Sequence, residues 1–118
     1  MMNDEMLYED IIKDSFGFTI DAIWDDLQYN HPYFSYKERI EKFSYILEKA
    51  MGKGILKLAN EGEFLEGSIK DQVERFKNSF PDDEKSMDEY IFGLDVNQNF
   101  WAPGGGVWIC NDGDEIWT

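Results

Sequence analysis

The arrangement of apolar residues predicts an α+β fold, a single helix-rich domain spanning residues 1–118 with a small antiparallel sheet. Three observations carry that prediction. Stripes recurring every three or four residues fill much of residues 3–51 and 69–80, and short apolar runs near 55–66 and 107–117 flank glycine-containing turns. No linker, repeat or low-complexity tract divides the chain.

The elements follow in order. Asn3 caps a first helix whose acids Asp4 and Glu5 suit the positive end of the helix dipole, with Leu7, Ile11, Ile12 and Phe16 as its buried stripe up to Gly17. Thr19 opens a second helix, over 19–29, that turns Ile20, Ile23, Trp24 and Leu27 inward and leaves Asp21, Asp25 and Asp26 outside. His31, Pro32 and Tyr33 break it, because proline disfavours a helical residue in front of it. Ser35 and Glu38 form a capping box for a third helix over 36–51. Tyr36, Ile40, Phe43, Leu47 and Ala50 line one of its faces, and Gly52 and Gly54 stop it.

Residues 55–59 and 64–66 read as a hairpin around a four-residue connection, Asn60 to Glu63. Ser68 caps a fourth helix over 69–80, with Ile69, Val73, Phe76 and Phe80 inward until Pro81 ends it. Ser86 and Glu89 repeat the capping-box spacing and predict a short helix ending near Gly93, after which Leu94–Trp101 is extended and Pro103–Gly106 a turn. Val107–Cys110 and Glu115–Trp117 flank Asp112-Gly113, a two-residue hairpin signal that sets Trp108 opposite Trp117 and both on one face. The four tryptophans, Trp24, Trp101, Trp108 and Trp117, are expected in the core.

Composition narrows the function classes. The 42% hydrophobic and 16% aromatic content fills a core in spite of the charge. The net charge of −14 makes free nucleic acid and anionic membranes poor partners. Only residues 31–60 are net positive, with six bases against three acids, and those bases are expected to pair with the acidic remainder. A single cysteine, the acidic start MMNDEMLYED and the absence of a long apolar run predict a cytoplasmic protein without an internal disulfide.

Catalytic and metal signals are weak. Asp95, Asn97 and Asn99 imitate a calcium loop, but Phe100 stands where glycine must turn the chain and Gly106 where a bidentate glutamate must bind. Gly104, Gly105 and Gly106 lead into a strand with no lysine following, which is not a phosphate loop. His31 and Cys110 are alone of their kinds, too few for zinc, and no residue spacing pairs them as nucleophile and base. No enzyme and no cofactor is therefore expected.

The order LEGSIKDQVERFKNSFP (Leu65–Pro81), MDE (Met87–Glu89), WAPGGGVW (Trp101–Trp108) and DGDEIWT (Asp112–Thr118) resembles a family of small acidic bacterial proteins catalogued as a domain of unknown function. The resemblance spans most of residues 36–118. Some small acidic proteins of this kind are encoded beside toxins of contact-dependent growth inhibition systems and are similar to their immunity proteins. No catalytic motif, and so no functional residue, comes with the resemblance.

Together these readings predict a cytoplasmic immunity protein that binds and occludes a basic toxin domain, in particular a nuclease. The alternative is an acidic interaction or regulatory module, of the nucleic-acid-mimic type, with another basic partner. Three acidic clusters are candidate contacts: Asp82, Asp83 and Glu84 after the proline; Asp112, Asp114 and Glu115 at the hairpin tip; and Asp21, Asp25 and Asp26 on the second helix. The first two rank higher because loops and tips display binding groups. Trp101 and Trp117 are the aromatic candidates nearest those tips.

Overall fold

The computed structural model describes residues 2–118. Four helices, α1 (Asp4–Ser15), α2 (Asp21–Asn30), α3 (Tyr36–Gly52) and α4 (Ile69–Ser79), accompany strands β1 (Leu56–Asn60), β2 (Glu63–Phe64), β3 (Gly105–Ile109) and β4 (Glu115–Trp117). The strands form one antiparallel sheet in the order β2-β1-β3-β4. The fold is α+β, as the apolar pattern predicts.

The predicted caps form. Asn3 Oδ1 accepts from the Met6 amide at 2.8 Å, Ser68 Oγ from Asp71 at 3.1 Å, and Ser35 and Glu38 make both hydrogen bonds of a capping box. α2 starts later than the sequence suggests. Ile20 is its N-cap and makes no side-chain bond, while the Thr19 hydroxyl donates to Asp21.

Phe43, Ile46, Leu47 and Ala50 of α3 are fully buried against Ile23 and Leu27 of α2, Phe76 of α4, and Leu56, Leu58 and Trp108 of the sheet. Phe16 stacks on Trp108 with ring centroids 5.1 Å apart, and the Trp108 indole N–H donates to the Phe18 carbonyl at 2.6 Å. The segment between α1 and α2 is thereby fastened to the sheet. Four polar residues of the helices are also buried, Ser15, Arg39, Ser44 and Gln72. Gln72 Nε2 donates to the Gly67 carbonyl at 2.8 Å, which removes the penalty of burying its amide.

Four local expectations are corrected. The β1–β2 connection is the two-residue turn Glu61-Gly62, because Asn60 and Glu63 are themselves paired. No helix forms over 87–93: after a single 3₁₀ turn at Glu84–Ser86 the chain makes bridges, Met87 with Asp95 and Leu94 with Phe100. Asp88 accepts from the Tyr90 and Ile91 amides at 2.8 and 2.7 Å, so a local side-chain turn takes the backbone donors that a helix needs.

The third correction is register. β3 and β4 pair Val107 with Trp117 and Trp108 with Ile116, one residue away from the predicted alignment. Gly113, at φ +90°, closes a longer loop in which the Cys110 amide donates to Asp114 and the Gly113 amide to Cys110. Asp112 Oδ1 accepts from the Asp114 amide at 3.0 Å and favours the same loop. Because side chains alternate, a slip of one residue puts the two tryptophans on opposite faces. Trp108 is in the core and Trp117 is 45% exposed.

The fourth correction concerns Gly105 and Gly106, which are strand and not turn. A Cβ on Gly106 would stand 2.5 Å from Ile20 Cγ2 and 3.1 Å from Leu56 Cδ1, and one on Gly104 would strike the Ala59 carbonyl. Glycine lets α2 and β1 approach this strand closely.

Phe43→Ala or Phe76→Ala is expected to cost about 3–5 kcal/mol in denaturant titration, as loss of a buried aromatic does. Gly106→Ala is expected to cost about 1–3 kcal/mol by overpacking against Ile20, read as a lowered midpoint with an unchanged m-value.

Candidate functional site

α2 presents Asp21, Trp24, Asp25, Gln28 and Tyr29 at helical spacing on one face, and the segment from Glu84 to Val96 faces it across a cleft of about 590 Å³. The second wall contributes Glu84, Lys85, Met87, Asp88, Glu89, Tyr90, Phe92 and Val96. Five carboxylates and one ammonium therefore line the same space, together with Gln28 and six apolar or aromatic side chains, Trp24, Tyr29, Met87, Tyr90, Phe92 and Val96.

The floor is rigid. Trp24 is buried and packs against Phe80 at 5.1 Å, Phe92 at 5.8 Å and Phe43 at 5.9 Å between ring centroids. The Arg39 guanidinium lies 5.1 Å from the Trp24 ring centroid, and its Nη1 donates to Glu84 Oε2 at 2.7 Å. This pair ties α3 to the start of the second wall. The Glu84–Val96 segment is held by its own hydrogen bonds. The Asp88 amide donates to the Leu94 carbonyl and the Val96 amide to the Ser86 carbonyl, both at 2.9 Å, and Gln98 Nε2 donates to Asp88 Oδ2 at 2.8 Å.

The carboxylates differ in their partners. Donation from Gln98, then from the Tyr90 and Ile91 amides, holds the Asp88 carboxyl below its ordinary range. Burial, reinforced by neighbouring Asp21, pushes the Asp25 carboxyl up. Glu84 has Arg39, whereas Asp21, Asp25 and Glu89 have no salt-bridge partner among the described residues. The rim is aromatic: Tyr29 is 71% and Tyr90 88% exposed.

The structure thus brings together Asp21 and Asp25 with Glu84, residues taken from two of the three sequence clusters. Asp26 is turned aside and accepts from Asn30 Nδ2 at 2.7 Å. Asp82 is exposed outside the cleft lining, and Asp83 Oδ1 accepts from the Lys85 amide at 2.8 Å, capping the 3₁₀ turn. Asp112, Asp114 and Glu115 are exposed on the β3–β4 hairpin, outside the cleft lining, and Glu115 accepts from the Trp117 indole N–H at 3.1 Å.

Trp101 is not displayed as an anchor. It is half-buried, packs on Phe80 with centroids 4.5 Å apart and donates its indole N–H to the Leu94 carbonyl at 3.1 Å. Trp117 lies on the outer sheet face beside Phe64, at 5.1 Å between centroids. Asp88, Glu89, Tyr29 and Tyr90 are not among the candidate contacts that the sequence offers, and Glu89 reads there only as a capping partner of Ser86. The Asp88 turn followed by Gly93 was the available signal for a loop there, masked by the capping-box spacing of Ser86 and Glu89.

Among the described residues, no group of three or more His, Cys, Asp or Glu side chains is arranged to hold a metal ion, and no helix is long and apolar enough to cross a membrane. Asp95, the first residue of the imitation calcium loop, accepts from the Asn97 and Asn99 amides at 2.8 and 3.0 Å.

The fold and the cleft define an acidic α+β domain with an aromatic-rimmed groove. The chain belongs to the family described as protein of unknown function, DUF596, whose profile matches residues 51–118, more than half of the sequence. The matched region includes the Glu84–Val96 wall and leaves out α2. In fold, the chain is similar to an uncharacterized protein conserved in bacteria from Neisseria meningitidis, with a TM-score of 0.72 and 17% identity over 97% of this chain and 88% of that one. At that identity the likeness is one of fold. No curated protein matches the chain.

Tyr36, next to this wall, supplies a pH test. Its hydroxyl donates to the Pro81 carbonyl at 2.7 Å, and burial, then the Glu84 carboxylate, pushes its pKa up to about 12. Because the neutral phenol is favoured in the fold, its stabilisation is complete below pH ~10 and is lost as pH rises through about 12. Ultraviolet titration is expected to show a late tyrosine that disappears in Tyr36→Phe.

Proposed function

We propose that the protein is a cytoplasmic immunity protein that binds and occludes a basic toxin domain, in particular a nuclease. The observation that carries this reading is the cleft, which Asp21, Asp25 and Glu89 line without a salt-bridge partner among the described residues, beside exposed tyrosines. A nuclease is positive where it meets phosphate, and an inhibitor of net charge −14 is steered to that surface.

The bases do not cancel this field. Arg39, Lys42, Lys49 and Lys77 are engaged with Glu84, Asp4, Glu5 and Glu41, so four of the eleven bases are used to join elements. The remaining acids supply long-range attraction, and the tyrosines supply contact area at low entropic cost. In this reading the chain performs no chemistry and needs no cofactor.

The test is stopped-flow association with a toxin domain encoded beside the gene. Raising salt from about 0.05 to 0.5 M is expected to slow association at least about tenfold, and Asp21→Asn with Asp25→Asn is expected to slow it at low salt and flatten the dependence. Rates that ignore ionic strength, or cleft variants that associate as the parent does, overturn the acidic-surface account. Failure to bind or neutralise the toxin while binding another basic protein overturns the immunity reading in favour of the mimic-type module.

A further inference from the structure

The cleft is a groove with two kinds of wall chemistry, and the combination restricts what fits it. Trp24, Met87, Phe92 and Val96 give it apolar surface, and Tyr29 and Tyr90 expose their rings at its rim. A purely hydrophobic occupant would bury Asp21, Asp25 and Glu89 without compensation, at high cost. An anion would meet five carboxylates and one lysine. A strongly hydrated ammonium would satisfy the charge but leave the rings little used. A guanidinium satisfies both, because it is planar and weakly hydrated, accepts stacking on aromatic faces and donates to carboxylates in a fork.

The protein uses the same recognition once within itself. Arg39 sets its guanidinium against the Trp24 ring and donates to Glu84, and both of those residues also line the cleft. Asp21 and Asp25 stand one turn apart on the same face of α2 and both line the cleft, so one forked donor can serve the two carboxylates. The volume of about 590 Å³ is within the range of roughly 300–1,000 Å³ that holds a compact ligand or a few side chains, and is larger than one guanidinium requires.

We infer that this cleft is an arginine-reading groove: it receives an arginine-bearing segment of a protein partner, with the guanidinium on Asp21 and Asp25 and against the rings of Tyr29 and Tyr90. The inference rests on the proposal that the partner is a basic protein, and it names the side chain that partner inserts. Asp25 and Tyr90 provide the strongest handles. Both are exposed and neither is part of the core, so their substitution tests binding without unfolding the chain.

The experiment needs no toxin, so its failure and the failure of the toxin reading are separate results. The full chain, labelled with nitrogen-15, is titrated at fixed ionic strength with a blocked Gly-Arg-Gly-Arg-Gly peptide and with its lysine counterpart. The arginine peptide is expected to shift amides of residues 21–29 and 84–92 and the Trp24 indole, and to bind about tenfold more tightly than the lysine peptide. Asp25→Asn and Tyr90→Ala are each expected to weaken it about fivefold or more. Glu74→Gln, an exposed acid of α4 outside the cleft, is expected to leave it unchanged. Shifts scattered over the acidic surface, equal affinity for both peptides, or Asp25→Asn and Tyr90→Ala variants that keep native spectra and parental affinity overturn the inference.

Discussion

The structure depends on one aromatic cluster centred on Phe43. Its ring lies 5.9 Å from Trp24 of α2, 5.5 Å from Phe76 of α4, 5.6 Å from Phe80 and 5.5 Å from Phe92. Trp101 closes the group against Phe76, Phe80 and Phe92. Rings of this size remove large apolar areas from water, and their tilted and edge-on contacts add to that burial. The long segment between α4 and β3 has no helix beyond a single 3₁₀ turn, and Phe92 and Trp101 fasten it to the helices together with the Arg39–Glu84 and Tyr36–Pro81 contacts. The cleft exists because this fastened segment stands opposite α2.

The charges are organised around the same centre. Lys42 and Lys49 of α3 reach Asp4 and Glu5 of α1, Lys77 of α4 reaches Glu41 of α3, and Arg39 reaches Glu84. Each exposed pair stabilises little, about 0–1 kcal/mol. Their larger effect is on the surface field: three of the four bases of α3 are paired with acids, and the net charge of the chain stays at −14. Arg39 is the exception, because its guanidinium is buried against Trp24 and orders the wall that carries Glu84. A chain that keeps five carboxylates around one groove accepts mutual repulsion in its free state, which the cationic partner we propose would relieve.

The outer face of the sheet is separate from this arrangement. Phe64 and Trp117 meet there, with the Lys57 ammonium 4.8 Å from the Phe64 ring centroid. The lysine covers part of the aromatic surface and leaves the face only partly apolar. Glycines at 104 and 106 let β1 and the Ile20 side chain at the start of α2 approach to distances that a Cβ forbids.

The sequence by itself determined the four helices, their caps and most of their inward faces, because 3.6-residue periodicity and capping chemistry act within a few residues. Ser35 with Glu38, and Phe43 with Leu47, say the same in the chain as in the fold. The α+β class and the two hairpins were legible for the same reason. Tertiary structure decided what depends on distant partners. The β3–β4 register turned on one residue of loop length, Arg39 was buried by Trp24, and the expected helix at 87–93 lost to bridges and the Asp88 turn. The cleft belongs wholly to this second group: Asp21 and Asp25 were visible as a helical pair, but the wall opposite them lies some sixty residues away, and tertiary contacts, Phe92 on Trp24 and Phe43 and Glu84 on Arg39, bring the two together.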